Sequence, residues 1–391
     1  MVIPRYIEMC VSRDLESKMV LVAGPRQVGK TTLAREILKK SGAGVYLSWD
    51  NQGDRKEIRL ARWPGGDALV VLDELHKYRF WKRWLKGEFD KHQERLGFLV
   101  TGSARLDVYR RGGDSLQGRY HQFRLHPLTY AEIQSGAEPR LPPPGTELSI
   151  PRGATGTTVE DLLRYGGFPE PFLAQSERVL RRWQKERVDR FFREDVRDLE
   201  ALRDLSGIQL LADMLAERVA SPLSINSLRE DLEVSHKAAS HWLEILERLY
   251  YVFRVRPYAA QTVRGLKKMP KAYLWDWSLV QEPGPRFENL VASHLLKFCH
   301  FLEDAEGHRV NLHYLRDKAG REVDFLVTLD RKPWFAVDAK TRSHWIDPSL
   351  RYFREKLQIP WTYQVVLEGA RDFVEDGVRC LPASALLSAL I

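Results

Sequence analysis

Apolar positions in the first third of the chain fall into short, continuous runs separated by polar, helix-spaced segments. Met19–Ala23 (MVLVA), residues 45–47, Ala68–Asp73 (ALVVLD) and residues 97–101 (GFLVT) are such runs. Residues 31–40 place Leu33, Ile37 and Leu38 along one side at helical spacing. Uninterrupted apolar runs suit parallel strands buried on both faces. Their alternation with helices predicts a three-layer α/β sandwich.

Residues 139–151 (PRLPPPGTELSIP) break this pattern, because their prolines cannot sustain a helix; they predict a loop or linker. Residues 161–199 then read as helical and basic. Residues 207–257 give three helical patterns and a strand-like alternation (YYVFRVRPY), and residues 287–391 return to mixed α/β. Composition adds limits. The 391 residues are 43% hydrophobic and 29% charged, enough for two or three domains with separate cores. The net charge of +8 favours polyanionic partners such as nucleic acid. Cys10, Cys299 and Cys380 lie far apart, neither a disulfide framework nor a zinc pattern, and suit a reducing cytoplasm. The opening residues lack a signal-peptide pattern and no run is long enough for a membrane span, so the expectation is a cytoplasmic protein without disulfides.

The strongest chemical signal is Gly24-Pro25-Arg26-Gln27-Val28-Gly29-Lys30-Thr31, which fits G-x-x-x-x-G-K-[ST] between an expected strand and an expected helix. The glycines let backbone N–H groups curl around phosphate oxygens, and the helix offers its N-terminus to the anion. Lys30 is read as reaching the β- and γ-phosphates and Thr31 as ligating Mg²⁺. Gly24, Pro25, Gln27, Val28, Gly29, Lys30, Thr31 and Thr32 are thus the expected ATP-binding set. Ala68–Asp73 runs into Glu74, and an apolar strand ending in two carboxylates assigns Asp73 to the Mg²⁺ and Glu74 to the attacking water. A third strand ends in Thr101-Gly102-Ser103, a polar tip able to contact the γ-phosphate and the water.

GPRQVGKTT, VVLDELH, LVTGSARLD and LQGRYHQFRLHPLTYAE together resemble a large family of prokaryotic AAA+ ATPases. Members of that family carry a C-terminal domain related to PD-(D/E)XK nucleases. The resemblance covers nearly the whole chain and includes residues 163–169 (LRYGGFP). It implies an AAA+ core over residues 1–138, a linker and helical lid over 139–205, a winged helix over 206–262 and a nuclease-like domain over 263–391. It further implies Ser103 as the sensor, Pro169 as a lid contact to the base, and Arg119 as an arginine finger, with Arg105 and Arg111 as rivals. A finger acting on a neighbour's nucleotide implies a ring homo-oligomer, usually a hexamer.

Residues 178–193 (RVLRRWQKERVDRFFR) carry six arginines and one lysine, interleaved with Trp183, Phe191 and Phe192. On a helix the aromatics could pack inward and the basic groups face out; a solvated face and a phosphate-binding face are both open readings. The helix, helix and strand order of residues 221–257 resembles a winged helix, with Ser235, His236 and Lys237 at the start of its recognition helix; DNA contact and subunit packing are both open. At the C-terminal end, Glu288 on a helix, Asp324 on one strand and Asp338-x-Lys340 on the next follow the PD-(D/E)XK order. That order implies a second Mg²⁺ on Glu288, Asp324 and Asp338, with Lys340 activating the nucleophile. Glu322 is read as pointing away from Asp324, a surface or salt-bridge residue. The leading expectation is an ATPase that moves or remodels DNA, including branched DNA such as a Holliday junction. An ATP-controlled switch with a protein or RNA partner and an ATP-gated nuclease remain open.

Overall fold

The computed structural model describes residues 3–102, 116–135, 141–150, 158–197, 204–258, 269–343, 345–369 and 371–391. They form two compact units, one built on Met1–Pro127 and the other mainly on Pro139–Glu303 and Gly307–Ile391.

The first unit contains α1 (Glu8–Asp14), β1 (Met19–Ala23), α2 (Lys30–Ser41), β2 (Gly44–Ser48), α3 (Gln52–Leu60), β3 (Ala68–Asp73), α4 (Trp81–His92), β4 (Leu96–Thr101) and β5 (Tyr120–Arg124). The strands form one sheet in the order β2-β3-β4-β1-β5, with every neighbouring pair parallel. All five residues of β1 are buried, as expected of a central strand covered on both faces. Alternate residues explain the layers. Met19, Leu21, Val70, Leu72, Phe98 and Val100 share a core with Ile58 of α3 and Leu85 and Phe89 of α4. The intervening residues face the opposite side, where α2 packs on β2, β3 and β4 through buried Leu33, Ala34 and Ile37. Truncating a fully buried residue such as Leu85 to alanine would cost about 2–5 kcal/mol. β5 is an edge strand with only Phe123 buried, so its polar sequence gives no continuous apolar run.

The second unit begins with α5 (Tyr130–Ser135), α6 (Thr158–Tyr165), α7 (Pro169–Ala174) and α8 (Glu177–Arg190), which runs into a π-helical turn at Phe191–Val196. The single helical stretch expected over residues 161–199 is therefore broken. Gly166 adopts a positive φ of 77°, and an added Cβ there would come within 3.2 Å of Asp276 and Ser278. Next come α9 (Leu205–Glu217), α10 (Ile225–Asp231), α11 (His236–Arg248), β6 (Val252–Pro257) and β7 (Lys271–Leu274). α9 to β6 match the three helical patterns and the alternating strand. β6 and β7 are antiparallel, and the end of β6 also pairs parallel with β8 (Val310–Arg316). The remaining elements are α12 (Pro283–Glu306), β9 (Glu322–Leu329), β10 (Lys332–Arg342), α13 (Pro348–Leu357), β11 (Trp361–Glu368), β12 (Phe373–Glu375), β13 (Val378–Pro382) and α14 (Ala383–Ser388). One eight-stranded mixed sheet runs β12-β13-β11-β10-β9-β8-β6-β7, so the helical segment and the C-terminal segment share a sheet.

Candidate functional site

The glycine loop joins β1 to α2, and its shape explains its residues. Gly24 has φ 155°, and a Cβ there would meet the Leu125 carbonyl oxygen at 2.5 Å. Gly29, the residue before α2, has φ 101°, which favours glycine. Lys30 is buried, and its Nζ donates to the carbonyls of Gly24 at 3.0 Å and Pro25 at 2.6 Å, so the ammonium lies inside the curl of the loop. The residues present fit a triphosphate and its metal: a curled backbone, a lysine within it, and a hydroxyl beside a carboxylate at the tip of β3.

That carboxylate is Asp73, held by three hydroxyls. Thr31 donates to Oδ2 at 2.9 Å, Tyr46 to Oδ2 at 2.5 Å and Thr101 to Oδ1 at 2.5 Å. The register explains the convergence, since Ser48, Asp73 and Thr101 are paired across β2, β3 and β4. Burial and the Asp73 charge push the Tyr46 phenol well above its ordinary range, so it stays a donor. Sequence reasoning missed Tyr46; the only signal was its place in the residue 45–47 run.

Glu74 follows at φ 57°, a left-handed conformation that is uncommon for a residue with a side chain and is a form of local strain found at functional sites. Its Oε2 is 3.2 Å from Lys77 Nζ and 3.7 Å from His76 Nε2, and Lys77 also pairs with Asp50 at 2.6 Å. Lys77 was not singled out from the sequence. A cavity of about 440 Å³ lined by Leu15, Ile37, Leu69 and Arg95 opens at the other end of the strands and contains none of these groups.

Ser103, Arg105 and Arg111 lie outside the described residues. Arg119 directly precedes β5, where its carbonyl accepts the Met19 N–H at 3.1 Å. β5 runs parallel to β1, so Arg119 is a strand length, about 16 Å, from its own glycine loop. Its guanidinium pairs with Asp90 at 2.6 and 3.1 Å. Pro169 starts α7, in the second unit.

In the basic helix α8 and the π-helical turn after it, Trp183, Phe191 and Phe192 are buried, while Arg178, Arg181, Arg182, Lys185, Arg190 and Arg193 are exposed. Arg187 is the exception: it is buried over the rings of Phe168 (4.1 Å) and Trp183 (5.3 Å) and pairs with Asp276 at 3.3 Å. Burial lowers its pKa, opposed by Asp276. At the start of α11, His236 and Lys237 are exposed, but the Ser235 hydroxyl is committed to capping the helix, accepting the Ala238 N–H at 3.1 Å.

The C-terminal acidic residues meet around a group the sequence reading did not include. Lys271 Nζ lies 3.0 Å from Glu288, 2.6 Å from Glu322 and 3.3 Å from Asp324. Glu322 and Asp324 are two apart on β9 and therefore share a face, which overturns the expectation that they diverge. Glu322 is a salt-bridge residue, also pairing with Arg316 at 3.1 Å. Asp338 and Lys340 pair at 2.9 Å, and Lys340 reaches Asp347 at 3.1 Å. Burial and the Asp324 charge push Glu288 up to about 7 and Asp338 well above the usual carboxylate range. Burial opposes the Lys271 charge, but Asp324 and Glu288 outweigh it and hold the lysine protonated. Among the described residues, no group of three or more His, Cys, Asp or Glu is arranged to hold a metal.

Comparison with known proteins agrees with the first unit. Residues 16–134 match a family model described as an AAA domain. Residues 156–282 and 283–386 match two models described as domains of unknown function, DUF8612 and DUF4143. The uncharacterized protein Rv2008c of Mycobacterium tuberculosis is 25% identical over 384 residues, covering 95% of this chain and 81% of the relative. The uncharacterized protein MJ1544 of Methanocaldococcus jannaschii is 24% identical over 352 residues, covering 84% and 77%. Among solved structures, the Walker-type ATPase PABY2304 of Pyrococcus abyssi has a TM-score of 0.43 at 15% identity, covering 71% of this chain and 95% of that one. The Aeropyrum pernix ORC1 protein in complex with DNA has a TM-score of 0.34 at 15% identity, covering 74% and 93%. Scores this low carry no argument about function. The parallel five-stranded sheet, its glycine loop and the AAA-domain match together support an AAA+ ATPase fold for the first unit. Among the described residues, no helix is long and apolar enough to cross a membrane.

Proposed function

We propose that this chain is an AAA+ ATPase that binds DNA and couples ATP hydrolysis to remodelling or translocating it, working as a ring homo-oligomer. The observation that carries the ATPase reading is the convergence of Thr31, Tyr46 and Thr101 on Asp73, with Lys30 folded into the loop beside them. In this reading Lys30 binds the β- and γ-phosphates, and Thr31 and Asp73 hold the metal. Bound Mg²⁺ would neutralise charge on the phosphates. Glu74 orients the attacking water. Ser103 senses the γ-phosphate, Pro169 is a lid contact to the base, and Arg119 acts on a neighbouring subunit's nucleotide from its place at the start of β5. Residues 139–205 serve as linker and lid, 206–262 as a winged helix and 263–391 as a nuclease-like domain.

DNA is the favoured partner because α8 turns its basic side chains outward over buried aromatics, on a chain of net charge +8. The deciding experiment is ATP turnover with and without single-stranded, duplex and four-way DNA. Stimulation that falls with salt supports DNA coupling; turnover and assembly indifferent to every DNA would leave an ATP-controlled switch instead. For the ring, mixing Arg119→Ala subunits with Lys30→Ala subunits should restore part of the lost activity.

The nuclease-like domain of this reading is supported by the run of α12, β8, β9, β10, α13 and β11 in the order helix, three antiparallel strands, helix, parallel strand, with Asp338 and Lys340 on β10.

A further inference from the structure

We propose that Lys271 is a built-in cation: its ammonium takes the place a divalent metal would need among Glu288, Glu322 and Asp324, so the C-terminal acidic site is metal-independent and does not cleave. This stands whether or not the glycine loop hydrolyses ATP.

The geometry supports it in three ways. First, the Lys271 side chain is 1% exposed, with its charged end between three carboxylate oxygens at 2.6–3.3 Å. A hard cation binds oxygen at roughly 2.0–2.6 Å, so the ammonium and a metal could not share that space. Second, the lysine cannot easily withdraw. All four residues of β7 are buried, and Lys271 pairs with Val255 of β6, so leaving would expose a strand or bury an unpaired charge.

Third, each carboxylate has a second protein donor. Tyr273 donates to Glu288 at 2.7 Å, Arg316 pairs with Glu322 at 3.1 Å, and the Ala339 N–H donates to Asp324 Oδ2 at 3.0 Å. The lysine a nuclease would use on its nucleophile is also engaged, because Lys340 bridges Asp338 and Asp347. The cluster instead fastens three elements: β7 supplies the cation, α12 supplies Glu288, and β9 supplies Glu322 and Asp324.

The test uses the full chain without nucleotide and counts bound Mn²⁺ by titration. Wild type should show no site that depends on Asp324, and should leave supercoiled DNA intact in Mn²⁺. Lys271→Met removes the charge at similar length and should gain one Mn²⁺ per chain, lost again on adding Glu322→Gln. One Mn²⁺ bound by wild type and abolished by Asp324→Asn overturns the proposal, as does wild-type cleavage lost in that variant. A folded Lys271→Met chain that gains no site overturns it too. If Lys271→Met does not fold, wild type with Asp324→Asn and Glu322→Gln decides: no site in any of the three upholds the proposal, and a wild-type site lost in either variant overturns it.

Discussion

The Thr101 hydroxyl, at the tip of β4, donates to Asp73 Oδ1 at 2.5 Å across paired strand ends. Both side chains are buried, so this bond also carries stability. Thr101→Val keeps the shape but leaves a buried carboxylate oxygen without its donor, and should cost about 1.5–3 kcal/mol. Thr101→Ser should recover most of that. Chemical denaturation of the three proteins decides, and equal midpoints for threonine and valine would remove Thr101 from the Asp73 network.

Three side chains around the loop should separate nucleotide binding from hydrolysis. Lys30→Ala removes the ammonium inside the curl of the loop and should weaken ATP binding by roughly tenfold to a hundredfold, the range for a charge-assisted bond. Glu74→Gln keeps the size and loses the carboxylate, so on the proposed role binding should persist while turnover falls by about a hundredfold or more. Lys77→Met takes away the cation 3.2 Å from Glu74 and should lower kcat severalfold with little change in KM. Direct nucleotide binding measured beside steady-state turnover gives all three, and normal turnover in Glu74→Gln would reject its assignment.

The glycine loop and the Asp73 carboxylate were legible in the sequence because they are local: a contiguous loop, and a strand whose apolar run stops at its carboxylate. Tyr46 and Lys77 were not, because their roles come from strand register and from the turn after Glu74. β5 was missed because an edge strand with one buried residue has no apolar run to read. The acidic cluster shows the same limit more sharply. Glu288, Asp324, Asp338 and Lys340 can be picked out by spacing, but Lys271 sits in KKMPKAYL, where nothing distinguishes a buried ammonium from a solvated one. Only the pairing of β7 with β6 carries it to the carboxylates.

Two arginines five residues apart on α8 should behave oppositely. Arg187 is buried against Phe168 and Trp183 and faces the buried Asp276. Arg187→Met would strand that carboxylate and should destabilise the second unit by about 3–5 kcal/mol. Arg182 is exposed, so Arg182→Ala should leave stability within about 0.5 kcal/mol. It should instead weaken DNA binding and reduce the slope of log affinity against log salt by about 1. Binding measured at several salt concentrations checks this, and an unchanged slope would take Arg182 off any DNA-contacting face.

The buried His294 sets a pH limit on the second unit. Its Nε2 accepts the Tyr130 N–H at 3.1 Å, and its Nδ1 lies 2.8 Å from the Leu290 carbonyl, so the neutral ring with a proton on Nδ1 satisfies both contacts. A second proton would face an N–H group. Burial pushes its pKa from 6.5 down to about 3, with the nearby Lys297 charge adding to the fall and the Leu290 bond opposing it. Between those values the unfolded chain binds the extra proton and the folded chain does not, so this contribution is complete above pH 6.5 and is lost as pH falls. Lowering the pH to about 5 should remove roughly 2 kcal/mol through this residue. Glu288 acts in the opposite sense: its pKa is raised from 4.5 to about 7, so its contribution falls as pH rises through that window. A variant comparison cancels the Glu288 effect. His294→Leu should be less stable than wild type at neutral pH, because the Tyr130 N–H loses its acceptor, but its stability should change less between pH 7 and about pH 5. Denaturation midpoints of the two proteins at both pH values give the difference, and parallel losses would show that His294 titrates alike in the folded and unfolded chains.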